Sequence, residues 1–156
     1  MFRRAYRTRL DRILAAVEIP ALGLWLGALC GFAFIFAPAA FRLVPDVTQF
    51  ASLTTANLRV LGDVGAVCGG LAIVIALVRS LDAADRTNDI VRAALILIAL
   101  VLVGYETFAI VPATAAIKDV QSPDFAELHH RSTLVYGGAV VVALIALIMA
   151  AVRTEA

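Results

Sequence analysis

The chain has 156 residues, of which 62% are hydrophobic and 16% are charged, and its formal net charge is +1. The apolar excess, with a mean hydropathy of +0.95, excludes an ordinary soluble domain, and the small net charge gives no case for nucleic-acid binding. Four apolar blocks are each long enough for a bilayer crossing, which needs about 20 residues; they cover approximately 19–41, 58–78, 90–111 and 134–152. The sequence therefore predicts an all-α polytopic membrane protein, built as a four-helix transmembrane bundle.

A basic segment at residues 1–16 precedes the four-span domain, which we predict at 17–153. Apolar residues recur in and just after this segment at helical spacing, with arginines on the other faces: Phe2, Tyr6, Leu10, Ile13 and Val17. Such a segment can lie along the membrane as a short interfacial helix, or it can be the positive flank of the first span. A cleaved signal peptide is a third option, but the apolar run before Ala37 exceeds the h-region of about 7–15 residues, so we interpret the segment as retained.

Basic residues are distributed unevenly between the two predicted sides of the bundle. Nine of them lie in the N-terminal segment, the connection between the second and third blocks, and the C-terminal tail: Arg3, Arg4, Arg7, Arg9, Arg12, Arg79, Arg86, Arg92 and Arg153. Four lie on the other side: Arg42, Arg59, Lys118 and Arg131. The positive-inside rule therefore predicts cytoplasmic N- and C-termini. We expect an integral protein of a bacterial inner membrane.

Glycines occupy one face of the first span and several positions of the second. Gly23, Gly27 and Gly31 are spaced by four residues, and small residues at this spacing allow helices to approach closely. We predict that Gly27 and Gly65 lie at helix contacts, because glycines elsewhere would only weaken their helices.

Ionisable residues lie toward the same end of three predicted spans. Glu106 lies six residues before Pro112, which is about 9 Å along a helix. Its counterparts on the second and fourth spans are Arg59, Asp63, His129, His130 and Arg131. Because isolated charges in hydrocarbon are costly, we predict that these six residues turn inward and form one ligand-binding polar cluster. The alternative to a ligand-binding role is a structural one, in which Arg59 and Asp63 form an ion pair.

The connection at 79–89 carries mixed charges. We interpret these charges as solvated on the cytoplasmic side and assign them no chemistry.

Three stretches occur together in an order and spacing seen in one family. They are LWLG at 24–27 with FAPAAF at 36–41, YETFAIVP at 105–112, and FAELHHRS at 125–132. In these stretches the chain resembles the DUF4149 family of small membrane proteins, which is related to the TMEM205-like proteins. The family pattern matches His129 and Ser132, whereas His130 is an addition and Tyr136 stands where the family often has Asn. The resemblance implies membrane helices and carries no established chemistry.

The number and spacing of candidate ligand residues limit which metal or haem sites the chain could form. His129 and His130 are adjacent and project about 100° apart on a helix, so they cannot hold one haem iron from opposite sides. Glu106, Asp63 and one histidine would suit a divalent cation. Cys30 and Cys68 both lie in apolar blocks; a copper site is conceivable, but packing is their expected role.

Two functional interpretations stay open. In the first, Asp63, Glu106 and His129 line a polar pocket for binding or transport of a small solute or cation, and a homo-oligomer would make transport easier for so small a bundle. In the second, the protein is a non-catalytic membrane assembly or stability factor and the polar cluster is structural. An enzyme is disfavoured, because no nucleophile elbow, phosphate loop or zinc-protease motif is present. The expected partner in both cases is the lipid bilayer.

Overall fold

The structure, a computed structural model, describes residues 2–81, 86–117, 119 and 121–153, and in these residues all regular structure is helical. The described residues form six α-helices and two π-helical turns, which follow one another along the chain. They are α1 (Phe2–Gly31), π1 (Phe32–Phe36), α2 (Ala37–Leu43), α3 (Val47–Ser80), α4 (Arg86–Tyr105), π2 (Glu106–Ile110), α5 (Val111–Ala115) and α6 (Pro123–Arg153).

Within the described ranges, four continuous helical segments are long and apolar enough to cross a membrane, and they confirm the predicted fold class. They are Leu10–Leu43, Thr48–Ser80, Arg86–Ala115 and Pro123–Val152, here called spans 1 to 4. Their 30 to 34 residues correspond to about 45–50 Å at 1.5 Å per residue. Because the hydrocarbon layer is about 30 Å thick, the ends of these helices extend into the head groups and the water beyond.

The spans pack as a ring in which span 1 contacts spans 2 and 4, and span 3 contacts the same two neighbours. The centre of the bundle is filled by apolar side chains with almost no exposed area. From α1 and α4 they include Leu22, Trp25, Leu29, Ile96 and Ala99, and from α6 they include Ala139, Ala143, Ala146 and Ala150. The alanines keep the face of α6 thin, so that larger side chains of the other spans fill the interior.

The two glycines singled out by sequence have different surroundings. Gly65 is buried, and a Cβ atom added to it would lie 2.7 Å from Nε1 of Trp25, so its predicted helix contact is confirmed. The prediction for Gly27 is wrong, because this residue is exposed and an added Cβ would meet nothing within 4 Å. The packed face of α1 carries large residues such as Leu22 and Trp25 instead, and the glycine face is left outside.

Each π-helical turn directly precedes an X-Pro sequence. The Ala37 N–H donates to the carbonyl of Phe32, and the Val111 N–H donates to the carbonyl of Glu106, so both bonds reach back five residues. Pro38 and Pro112 follow these donors. Proline has no N–H and its ring clashes with the carbonyl four residues earlier, and the wider turn accommodates both effects while the helix continues.

The basic N-terminal segment is part of the first long helix. Helix α1 runs from Phe2 to Gly31 without a break and crosses the predicted boundary between residues 16 and 17. An interfacial position for residues 1–16 stays a prediction.

Candidate functional site

Glu106 is the buried acidic residue of π2, and its carboxylate has two different environments. The side chain is 2% exposed, and the Ser132 hydroxyl on α6 donates a hydrogen bond to Oε1 at 2.5 Å. Oε2 is also buried but has no hydrogen-bond partner among the described residues. Burying a polar atom without a partner costs about 1–3 kcal/mol, and more if the group is charged. Glu106, Ser132 and His129 are therefore the core of the candidate site, here called the Glu106 site.

Three polar residues of α6 lie along the face that meets Glu106. His129, Ser132 and Tyr136 follow at i, i+3 and i+7, which places them on one side of a helix. His129 is exposed and interacts electrostatically with Glu106, and its ring stacks on Phe125 with centroids 6.1 Å apart. His129 therefore lies at the protein surface within electrostatic range of the buried carboxylate.

Tyr136 continues this row into the core. It is 8% exposed, and its hydroxyl donates to the Leu29 carbonyl of α1 at 3.0 Å. It also lies within electrostatic range of Glu106. The structure thus shows a tyrosine that joins spans 1 and 4 beside the site.

The other predicted cluster residues do not gather around Glu106. Arg59, Asp63 and His130 are exposed. The Arg131 guanidinium is exposed too, and it lies 5.4 Å from the centroid of the Tyr105 ring, a cation–π geometry. The expectation that all six residues turn inward is thus met by Glu106 alone, with His129 approaching from the surface, and a ligand-binding role for the other four stays a prediction.

The packing face of α3 explains why Arg59 and Asp63 point away. Leu58, Leu61 and Gly65 are buried at i, i+3 and i+7, so these positions define the face that enters the bundle. Arg59 and Asp63 lie off this face, and within the described part of the chain no ion pair joins them.

No three histidine, cysteine, aspartate or glutamate side chains of the described residues lie together as metal ligands would. The divalent-cation set considered from sequence, with Glu106, Asp63 and one histidine, is therefore not formed. Cys30 is half-buried and Cys68 is buried, and both are free thiols.

A second polar group, absent from the sequence predictions, joins spans 1, 2 and 3 at the opposite end of the bundle. Glu18, Arg79, Asp89 and Arg92 are each at most 5% exposed. Glu18 Oε2 lies 2.9 Å from Arg79 Nη1, and Glu18 Oε1 lies 2.9 Å from Arg92 Nε. Arg92 Nη2 lies 2.8 Å from Asp89 Oδ1. We call these four residues the ion-pair network.

The ion-pair network corrects the interpretation of Arg79 and Asp89 as solvated charges, whereas Arg86 is exposed as predicted and residues 82–85 lie outside the described residues. Arg79 and Asp89 are buried in it, and Arg79 also contacts the Asp11 carboxylate at 3.4 Å. Its two acids and two arginines carry no net formal charge, which lowers the cost of burying them together. A signal was present in the sequence, because Glu18, Arg79 and Asp89 directly flank the apolar blocks 19–41, 58–78 and 90–111, and therefore lie at one level.

An apolar layer separates the two polar groups. Arg92 and Glu106 are 14 residues apart (106 − 92) on span 3, which is about 21 Å along a helix. Between them Ile96, Ala99 and Val103 are at most 2% exposed. The Glu106 site is thus closed toward the ion-pair network by packed side chains.

Comparison with protein families gave a match to the model described as a domain of unknown function, DUF4149, over residues 21–123. The matched range includes both π-helical turns and Glu106, and it ends before His129 and Ser132. No curated protein and no solved structure matched the chain.

Proposed function

The chain belongs to the DUF4149 family, and from that premise we propose that it is a membrane protein that binds a small cation or polar solute at the Glu106 site. The observation that carries this proposal is the buried Glu106 carboxylate, of which one oxygen accepts from Ser132 and the other has no partner among the described residues. Ionisable residues inside membrane spans are rare and usually functional, and π-helical turns such as π2 are frequent at functional sites.

Access to the site is proposed from the end of the bundle that carries His129. His129 is exposed, whereas the apolar layer and the ion-pair network lie on the other side of Glu106. Binding or sensing is accordingly favoured over passage through a single bundle, and transport would require the ion-pair network to separate or further copies of the chain to form a path.

The identity of the membrane and the side on which the termini lie are also part of this proposal. The nine-to-four distribution of basic residues supports an inner-membrane protein with cytoplasmic termini, so the Glu106 site would face the periplasm. The similarity of the three sequence stretches also supports our proposal of a relationship to the TMEM205-like proteins.

Reporter fusions test this topology. Fusions after residues 47 and 116 should report an external location, and a fusion after residue 84 should report a cytoplasmic one, because the positive-inside rule places the arginine-rich ends inside. A cytoplasmic signal from residue 116 would contradict the proposed sides.

A non-catalytic assembly or stability factor is the second candidate function, and the ion-pair network favours it. A buried set of charges that joins three spans can specify one arrangement of helices. Under this alternative, Glu106 and Ser132 would be a structural contact between spans 3 and 4.

Ligand-induced stabilisation separates the two candidates. Purified protein in detergent is heated with Na⁺, K⁺, Mg²⁺, ammonium, guanidinium or small amines, and a ligand of the native state stabilises it by about 2.7 kcal/mol at 100 times its Kd. We expect at least one of these solutes, or a lower buffer pH, to raise the Tm of the wild type and not that of Glu106→Gln.

Glu127→Gln is the matched control, because Glu127 is an exposed carboxylate near the same end of α6. It should keep the full shift. Equal shifts in all three proteins would contradict binding at Glu106, and so would the absence of any shift across the series combined with unchanged stability of Glu106→Gln.

A further inference from the structure

We infer that the cation taken up at the Glu106 site is a proton, exchanged with water on the side of the bundle that carries His129. This inference rests on the proposed function and specifies its ligand.

The Glu106 site offers few ligands to a metal ion. A Ca²⁺ ion takes about 6–8 oxygen ligands, whereas this site offers one carboxylate, the hydroxyl of Ser132, which already donates to Oε1, and the His129 imidazole. No three histidine, cysteine, aspartate or glutamate side chains lie together as metal ligands would within the described ranges. A proton needs one lone pair and no coordination shell, and the unpartnered Oε2 provides it.

The titratable groups around Glu106 come from the neighbouring helices. On α6, His129 and Tyr136 lie within electrostatic range of it, while the Arg131 guanidinium lies over the Tyr105 ring of α4. On α3, Arg59 and Asp63 are exposed, and the Cys30 thiol of α1 lies within electrostatic range of Tyr136.

The remaining residues of π2 and all of α5 are uncharged. No ion pair to Glu106 forms within the described part of the chain. Ionised carboxylates in a low-dielectric interior are very unfavourable without a compensating positive charge. A bound proton supplies that charge without any movement of the surrounding helices.

His129 lies on the route from water to Glu106. It is exposed and one turn from Ser132 on the same face of α6, and an imidazole can both accept and donate a proton. A proton passes from external water to the His129 imidazole, and the imidazolium then gives it, directly or through one water, to Oε2 of Glu106. The imidazole returns to its neutral form, the carboxylate becomes a carboxylic acid, and release follows the reverse order.

Dicyclohexylcarbodiimide tests this inference, because this apolar reagent modifies protonated carboxyl groups within membranes. Wild-type protein in liposomes is incubated with it in buffers from acidic to alkaline, and peptides are analysed by mass spectrometry. We expect modification at Glu106 that falls by at least tenfold between the acidic and alkaline limits. Glu127→Gln should leave this profile unchanged.

His129→Ala tests the route separately from the site. After a rapid jump from alkaline to acidic buffer, the infrared carbonyl band of protonated Glu106, assigned by its absence in Glu106→Gln, should appear several-fold more slowly in this variant, while its final amplitude should equal that of the wild type. An equal rate in both proteins would contradict the relay through His129.

Two outcomes would contradict the inference that the ligand is a proton: no modification of Glu106 in any buffer, or the same extent of modification in all buffers. If a solute still raises the Tm of the wild type but not of Glu106→Gln, the proposed function stands with a ligand other than a proton. If neither the pH-dependent modification nor the solute-dependent shift occurs, both fail.

Discussion

Replacing Arg92 with methionine is expected to lower the free energy of unfolding by about 3–5 kcal/mol, the usual cost of removing one partner from a buried ion pair. Methionine keeps an unbranched apolar side chain and removes the charged guanidinium. Glu18 and Asp89, both fully buried, then lose a cation that lies 2.9 Å and 2.8 Å from their oxygens. Denaturant titration of the protein in detergent micelles measures the change.

Arg86→Met is the matched control, because Arg86 is exposed at the start of the same helix, α4. Surface substitutions of this kind usually change stability by less than about 0.5 kcal/mol. Equal stabilities of the two variants would mean that the ion-pair network contributes little to the bundle.

Replacing Gly65 with leucine is expected to destabilise the bundle by at least about 1–3 kcal/mol, the range found for overpacked cores. The new Cβ would lie 2.7 Å from Nε1 and 3.0 Å from Cε2 of Trp25. Trp25 has no exposed area, so its indole ring cannot move aside without displacing spans 1 and 2. The Tm of the solubilised protein is the measurement.

Gly27→Leu provides the comparison, since it makes the same change on an exposed helix face with nothing within 4 Å of the new Cβ. It should leave the Tm unchanged or raise it slightly, because leucine has a higher helix propensity than glycine. A large loss of stability in Gly27→Leu would show that a partner protein or a second copy of the chain packs against this face.

Hydropathy was sufficient to predict the four spans, because a chain in hydrocarbon must satisfy its backbone within each segment and a helix does so. It could not locate the π-helical turns. X-Pro sequences at 37–38 and 111–112 follow both turns, but Pro20 lies inside the uninterrupted helix α1 without such a turn, so proline alone does not predict one.

Depth along a helix could be predicted from sequence, but the direction of each side chain could not. Glu106 and Asp63 were assigned similar depths, yet Glu106 is buried and Asp63 is exposed, because the packed face of α3 is set by Leu58, Leu61 and Gly65. The order of residues along a helix defines its faces, but only the neighbouring helices decide which face lies inside the bundle.

The ion-pair network was missed for a related reason. Glu18 and Arg79 are 61 residues apart, so their pairing depends on how spans 1 and 2 meet and not on a local motif. Glu106 and Ser132 are 26 residues apart and were also joined only by the packing of spans 3 and 4. Ser132 entered the sequence interpretation through the family resemblance and not as a partner of Glu106.

The most direct measurement of the central claim is the accessibility of position 106 from the two sides of the membrane. Glu106→Cys is made in a protein whose Cys30 and Cys68 are replaced by alanine, and a small membrane-impermeant thiol reagent is added to right-side-out and to inverted vesicles. A binding site open toward His129 and closed by the apolar layer predicts modification in right-side-out vesicles and none in inverted ones. No modification from the outer side of a correctly folded protein would contradict the binding site and leave Glu106 and Ser132 as a structural contact.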